Sequence, residues 1–448
     1  MRTRDQLTPA IAAATVAALV AAGPARAAPA LSIADALRAA WTQNEGLAAS
    51  EHGVTAARLE AESARDRRLP ELQLSARAVR TDEPMVAFAT RLDQGRIAAE
   101  DFDPARLNDP RAIGGYQVGA TITQVIYGGG RITAGRRAAE ANADAGRLDH
   151  AMRRQQLAVQ VVEAYFGSQA ARLGVQYAED VLAHARETER FVRARAADGA
   201  ALASEVGRAT AFRAQAEAQL AGARQQLSTA RSALALLSGP GALDAELATP
   251  LEVPGAGTTP GPYDTDLAAR PDLAAARART EAAGAAVGVA RGSLLPEVFA
   301  QASAEAARSA DLADGTGWTT LLLGVRWKLG AADARALSAA QAREESAAAM
   351  ARWQERQAAR EVEEARRAIE SADARVRSAE EALSASESAR SIREARHRQG
   401  LLPLTEVLDA EAGLAGARAL LVRSRFEARV ARAQLQLATG NPVEGVTP

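Results

Sequence analysis

Hydrophobic and polar residues alternate with period two in four stretches of the chain. Leu72, Leu74, Ala76 and Ala78 share one face, and Gln73, Ser75 and Arg77 share the other. Tyr116, Val118, Ala120 and Ile122 oppose Gln117, Gly119, Thr121 and Thr123. Further on, Val298, Ala300, Ala302 and Ala304 oppose Gln301, Ser303 and Glu305, while Leu321, Leu323, Val325, Trp327 and Leu329 oppose Thr320, Gly324, Arg326 and Lys328. The pattern predicts four strands of about ten residues each, in two hairpins within 71–127 and 297–329. About ten residues is also the length of a tilted membrane-crossing strand, with a soluble sheet as the alternative. The rest of the chain changes to helical spacing. No proline interrupts Arg131 to Ala197, and Leu148, Met152, Val159, Val162, Phe166, Leu173, Tyr177, Val181, His184 and Phe191 fall on steps of three, four or seven. That is a narrow coiled-coil stripe along a rod of about 100 Å. Arg335 to Gln399 repeats the design, with alanine crowding the intervening positions. After Gly199 and Gly400 a shorter helix returns, from about Ser204 to Ser238 and from Thr405 to Thr439, each stopping at a glycine. A further helix precedes each hairpin. The first is capped by Ser32, runs to about Arg68 with a break expected near Gly46, and the second starts near Pro271; both end at a Leu-Pro step.

The elements recur in the same order, so the chain reads as two copies of one unit. Asn44-Glu45-Gly46-Leu47 is echoed by Arg270-Pro271-Asp272-Leu273. Leu69-Pro70-Glu71 returns 226 residues later as Leu295-Pro296-Glu297. Gly128 and Gly330 are 202 apart. Gly199 and Gly400, Gly239 and Gly440, and Ser204-Glu205-Val206 and Thr405-Glu406-Val407 are all 201 apart. The first copy therefore carries about 24 extra residues, placed in 81–112. The expected divisions are a signal segment 1–27, a first repeat 28–240 with long helices 131–239, a linker 241–265 rich in Pro, Gly and Thr, and a second repeat 266–448 with long helices 335–440.

Composition narrows the functions. With 54 basic and 55 acidic side chains the net charge is −1, which excludes a generally cationic nucleic-acid binder. Arg2 and Arg4, the apolar run from Ala10 to Ala22, and Ala25 and Ala27 spaced for cleavage predict an export signal cut after Ala27. The chain has no cysteine, so disulfides, thiolate sites and a lipid-bearing Cys are excluded. Four His and four Met argue against a soft-metal site. His52 and His150 have no partner at metal spacing, and His184 sits on the apolar stripe as a packed or interface histidine. No P-loop or catalytic constellation occurs, so no enzyme activity, cofactor or resident metal is expected.

Four strands cannot close a barrel, for which about eight is the practical minimum, and lipid does not tolerate an open sheet edge. If the strands cross a membrane, several chains must pool them, and three chains would supply twelve. A periplasmic adaptor, with one helical hairpin nested in split β domains, and an elongated coiled-coil structural protein are the alternatives. Two tandem hairpins that each follow a strand pair favour a channel over both.

The residues resemble the TolC-type outer-membrane efflux channels over nearly the whole mature chain. The resemblance rests on the opening Leu31-Ser32-Ile33-Ala34-Asp35-Ala36-Leu37, both Leu-Pro steps, Tyr127-Gly128-Gly129-Gly130-Arg131, and Gln399-Gly400-Leu401-Leu402-Pro403-Leu404-Thr405-Glu406-Val407-Leu408-Asp409-Ala410 with its first-half echo. The insert from Pro84 to Pro110 is similar to a loop found in part of the family. The resemblance implies a mixed α/β membrane protein, mainly α. Three chains would form a twelve-stranded outer-membrane β-barrel, four strands from each, continued by a long periplasmic α-helical barrel. It also implies a passive exit duct in outer-membrane lipid that docks a periplasmic adaptor and an inner-membrane pump, the pump supplying the energy. The sequence runs eight residues past Gly440, so a modest equatorial region is expected, built from 240–265 and the chain ends.

The same resemblance points to functional residues. Gly199 and Gly400 match the periplasmic tips where the adaptor docks; a plain helix C-cap explains the glycines equally well. Glu406 and Asp409, three apart on one helix face, match carboxylates that ring the closed aperture, and Ser204 and Glu205 match the first-half positions. His397 takes a place often held by tyrosine in the gate network. The plain alternative for the acids is complementing the helix dipole in a first turn. Trp318, Trp327, Tyr116 and Tyr127 lie near strand ends, as an interfacial aromatic belt would.

Overall fold

The computed structural model describes residues 30–252 and 267–443. The expected signal segment and most of the Pro/Gly-rich linker lie outside the described residues. The elements run β1 (Ala30–Leu31), α1 (Ile33–Gln43), α2 (Glu45–Asp66), β2 (Glu71–Thr81), α3 (Pro84–Asp93), α4 (Pro104–Asn108), β3 (Ile113–Tyr127), α5 (Arg131–Ala197), α6 (Ala203–Ser238), β4 (Glu246–Leu247), α7 (Pro271–Gly292), β5 (Glu297–Ser309), β6 (Gly315–Arg326), α8 (Ala331–Arg398) and α9 (Leu404–Thr439). Ser32 caps α1 in a reciprocal box with Asp35. The break in the first helix falls at Asn44, not Gly46. Asn44 is extended, and its side chain accepts from the Leu47 N–H at 3.0 Å, so it ends α1 and caps α2 at once. The second rod starts at Ala331, four residues earlier than its spacing predicts, because Ala331 and Ala332 favour helix and extend it back to the Gly330 N-cap.

The four long strands form one antiparallel sheet in the order β2-β3-β5-β6, leaving β2 and β6 as edges. Its register sorts side chains by polarity. Leu72, Ile122, Ala302 and Leu321 make one row across the sheet, and Leu74, Ala120, Ala304 and Thr319 the next. Val118, Ala306, Leu323 and Val325 extend the same face. Its large side chains have nothing against them, Leu321 being 85% and Leu74 74% exposed. On the opposite face Arg77 donates to Gln117 at 2.6 Å, and Gln117 donates to Glu305 at 2.7 Å, a polar chain across three strands. At the helical end buried Glu297 binds both Arg131 at the start of α5 and Arg326 at the end of β6, fixing rod to sheet. The 81–112 insert folds back on the other end. Gln94 is buried and donates to the carbonyls of Gly114 and Arg308, and Arg96 pairs with Asp314 at 3.3 Å.

The helices lie side by side in the order α6-α5-α9-α8, with α2 packed on α5 and α7 between α5 and α8. The main core sits partway along the rods, where α1, α5, α6 and the 240–252 segment meet. Ile33, Leu37, Val161, Val162, Tyr165, Phe166, Leu234 and Leu251 are buried there. Tyr165 ties the pieces together: its hydroxyl donates to the Leu31 carbonyl at 2.7 Å and accepts from the Thr249 N–H at 2.9 Å. Arg429, 3% exposed, donates to the carbonyls of Pro250, Leu251 and Glu252 and lies 4.7 Å from the Phe166 ring centroid. Burial lowers its pKa, and three backbone acceptors take the place of a carboxylate.

The expected stripe on α5 holds at Val159, Val162 and Phe166. Further along, the buried positions are Leu182, Ala185 and Val192, one residue past Val181, His184 and Phe191, together with Glu189. An α-helix drifts about 20° per heptad against a strict seven-residue repeat, and α5 packs on both α6 and α9. The displaced His184 faces α8, where its Nδ1 accepts from Arg390 at 3.2 Å. Arginine can only donate, so that nitrogen is unprotonated.

Each helical hairpin is held by a charged clasp ten residues above its turn, about 15 Å. In the first, Glu189 accepts from Thr210 at 2.7 Å and pairs with Arg193 and Arg213, each at 2.8 Å. In the second, Arg390 pairs with Glu411 at 2.6 Å and Glu394 at 3.2 Å. The positions correspond at the offset of 201, with the signs exchanged: Glu189 and Arg193 become Arg390 and Glu394, and Thr210 becomes Glu411. The hydrogen bond from Thr210 and the charges of Arg193 and Arg213 hold the Glu189 carboxyl below the usual range, against a smaller opposing effect of burial. A lowered folded-state pKa contributes stability that is complete above the unfolded value near 4.3 and disappears as pH falls through the folded value. Hydrogen-exchange protection of the α5–α6 hairpin should therefore be flat from neutral pH to about 5 and fall below about 4. Glu189→Gln should flatten that acid limb. Tyr165→Phe should destabilise the protein by about 1–3 kcal/mol in thermal unfolding, since it leaves the buried Thr249 N–H unpaired and the Leu31 carbonyl with the Ala248 N–H alone.

Candidate functional site

The two helical hairpins turn at Gly199 and Gly400 with the same geometry. The Gly199 N–H bonds the Ala196 carbonyl and the Ala200 N–H the Arg195 carbonyl; the Gly400 N–H bonds His397 and the Leu401 N–H bonds Arg396. Both are Schellman caps, with the glycine in the left-handed region at φ of 72° and 78°. A Cβ at either position would meet no atom within 4 Å, so backbone conformation, not crowding, demands glycine. Leu202 and Leu401 stand out beside the turns, 69% and 68% exposed.

The turns are joined by packing. Leu404, at the first position of α9, is buried against Val192 of α5 and Ala209 of α6. Beside this contact lies a cavity of about 320 Å³ whose walls include Phe191, Arg195, Glu205, His397 and Leu402. The His397 Nδ1 is 2.8 Å from the Leu402 carbonyl, so it carries the proton. Its ring meets Phe191 edge-to-face at 6.0 Å, and its Nε2 is buried without a hydrogen-bond partner. His397 thus bridges the hairpins through an aromatic contact and a backbone acceptor.

The acidic residues are placed differently from one another. Glu205, third in α6, accepts from the Leu202 N–H at 3.1 Å and so caps its own helix. Glu406, third in α9, lies 3.6 Å from Arg393 of α8. Asp409 is exposed one turn further along, and Ser204 is exposed beside Glu205; neither borders the tip cavity. The structure therefore brings Glu205 and His397 together, sets Glu406 against a cation, and leaves Asp409 facing solvent. Sequence reasoning missed Arg393, Arg390 and Arg213. Arg390 and Arg213 show only a four-residue spacing to Glu394 and Glu217, a pattern common to solvated surfaces, and Arg393 has no glutamate at helical spacing. Among the described residues no group of three or more His, Asp or Glu side chains converges, and no helix is long and apolar enough to cross a membrane.

A family model for outer membrane efflux proteins matches residues 36–240 and 263–441. The fold is also that of several solved channels. CusC aligns over 91% of this chain and 92% of its own, with a TM-score of 0.76 and 19% identity. VceC of Vibrio cholerae aligns over 92% and 96%, with a TM-score of 0.73 and 21% identity. CmeC of Campylobacter jejuni aligns over 91% and 85%, with a TM-score of 0.76 and 16% identity. A comparison with curated protein sequences gave no match. The family match spans both hairpin pairs and both rods, so the chain belongs to the outer membrane efflux protein family, an exit duct of the Gram-negative outer membrane with a long periplasmic extension.

Proposed function

We propose that three copies of this chain pool their sheets into a closed twelve-stranded barrel, and that the duct passively conducts cargo delivered by a periplasmic adaptor and an inner-membrane pump. The observation that carries this reading is the sheet itself, with one apolar face, one polar face and two unpaired edges. Pairing β6 of one copy with β2 of the next satisfies both edges, turns the apolar rows toward lipid and the Arg77–Gln117–Glu305 chain toward water.

In this reading the helical rods enclose the periplasmic channel and the turns form its far mouth. Gly199 and Gly400, with Leu202 and Leu401 exposed beside them, are the surface offered to the adaptor. Ser204, Glu205, Glu406 and Asp409 border the aperture, and His397 couples the two hairpins that must separate when it widens. The local pairings grade the acids: Glu205 is occupied by its cap and Glu406 is shared with Arg393, so Asp409 carries the freest charge toward the pore. A ring of such carboxylates attracts cations.

The protein extracted from outer membranes should have a native mass of three chains once detergent is subtracted; a monomer would overturn the pooled barrel. The double variant Glu406→Gln, Asp409→Asn should show a larger single-channel conductance and weaker cation selectivity in planar bilayers. If both stay at the wild-type values, these residues do not border the aperture.

A further inference from the structure

The lipid-facing side of the sheet carries charge at one end only. On the apolar face of all four strands the charged residues are Arg80 and Arg308, and no carboxylate shares that face. Both arginines sit in the last rows before the loop end: Arg308 pairs with Tyr116 in one row, and Arg80 with Gly114 in the next. Both are exposed, and among the described residues neither guanidinium has a hydrogen-bond or ion-pair partner. The carboxylates of the neighbouring turn are engaged elsewhere, Asp311 by Ser309 and Asp314 by Arg96. Gly315, across from Arg308, leaves room for the arginine stem: a Cβ there would come within 2.7 Å of its Cδ.

Their height matches a headgroup layer. Tyr127 marks the helical end of the same face and Tyr116 the loop end. The strand between them spans about 35 Å, which at a 45° tilt is about 25 Å of membrane thickness, the apolar band of an outer-membrane barrel. Tyr116 and the two arginines then lie where the outer leaflet changes from acyl chains to headgroups. Unpaired arginines at that level call for an anion, and guanidinium is the side chain best shaped for phosphate.

We propose that Arg80 and Arg308 bind the phosphate of a phosphorylated glycolipid of the outer leaflet, the lipid A portion of lipopolysaccharide, so that each chain holds a specific lipid at the outer rim of the barrel. The pair is separated by the single strand β3, about 10 Å of sheet, and two extended arginines span that gap onto one headgroup. This rests on the barrel reading and adds a ligand to it.

The test compares the native protein with the R80Q/R308Q variant, both extracted from outer membranes in mild detergent, by lipid A per chain after hydrolysis and mass spectrometry. The variant should retain about tenfold less, the loss expected from removing charge-assisted phosphate bonds. R80K/R308K should recover part of it. Equal retention overturns the proposal. Conductance and native mass of the unaltered protein test the barrel separately, since failure there sinks the barrel and the lipid site together, whereas failed retention alone sinks only the site. If the glutamine variant does not assemble, the delipidated native protein decides. Its thermal midpoint should rise more with bisphosphorylated lipid A than with the dephosphorylated lipid or inorganic phosphate. An equal rise with the dephosphorylated lipid, or with inorganic phosphate, overturns the proposal.

Discussion

A strand edge cannot remain unpaired in hydrocarbon, and the rest of this molecule follows from that constraint. The four-stranded sheet ends in β2 and β6, each with a row of backbone N–H and C=O groups and no partner among the described residues. Each such group costs several kcal/mol in lipid, so the two edges together cost tens, against a typical folding stability of about 5–15 kcal/mol. Four strands are too few to close on themselves. The apolar rows beside those edges are equally unsuited to water. The proposed barrel answers both problems at once, with copies of the chain completing each other.

In the proposed barrel the rods take the symmetry of the sheet. Their sequence is rich in alanine and charge, and their burial within one chain is partial, which suits the packing on neighbouring copies that the proposal requires. What holds them internally is concentrated at two levels. The core around Tyr165 and Arg429 binds the 240–252 segment by hydrogen bonds to its backbone. Nearer the turns, the clasps of Glu189 and Arg390 hold each hairpin by charge. Between the clasps and the turns few large apolar contacts remain, Leu404 against Val192 and Ala209 being the main one. A region held by short-range polar contacts and one small apolar cluster is suited to opening locally while the rest stays intact.

At the tip, residues that correspond in sequence differ in what they touch. Glu205 and Glu406 occupy corresponding positions, yet one caps its own helix and the other faces Arg393. His184 and His397 look alike in the sequence, but the first accepts from Arg390 while the second donates to a carbonyl. These roles follow from which helix lies opposite, and nothing local specifies that. The exchange of sign between the two clasps has the same origin: opposite charges at corresponding sites satisfy the same need, so duplication preserves the position without preserving the residue.

Most of the fold was legible in the residues themselves. Period two marks a surface with two environments, period 3.6 marks a packed rod, and glycine marks a turn that needs positive φ. These are properties of short stretches, and they place the four strands, the long helices and both turns within a few residues. The offset of 201 and the Leu-Pro steps carried the family. The break at Asn44 instead of Gly46, the drift of the buried positions on α5, the docking of Gln94 on the strand ends and the partners of Glu189, Arg390 and Arg429 were decided by tertiary structure. Each depends on residues that are distant in the chain or on the accumulated twist of a long helix. Periodicity states which face of an element is buried, but the identity of the group across the interface is fixed only when the elements pack.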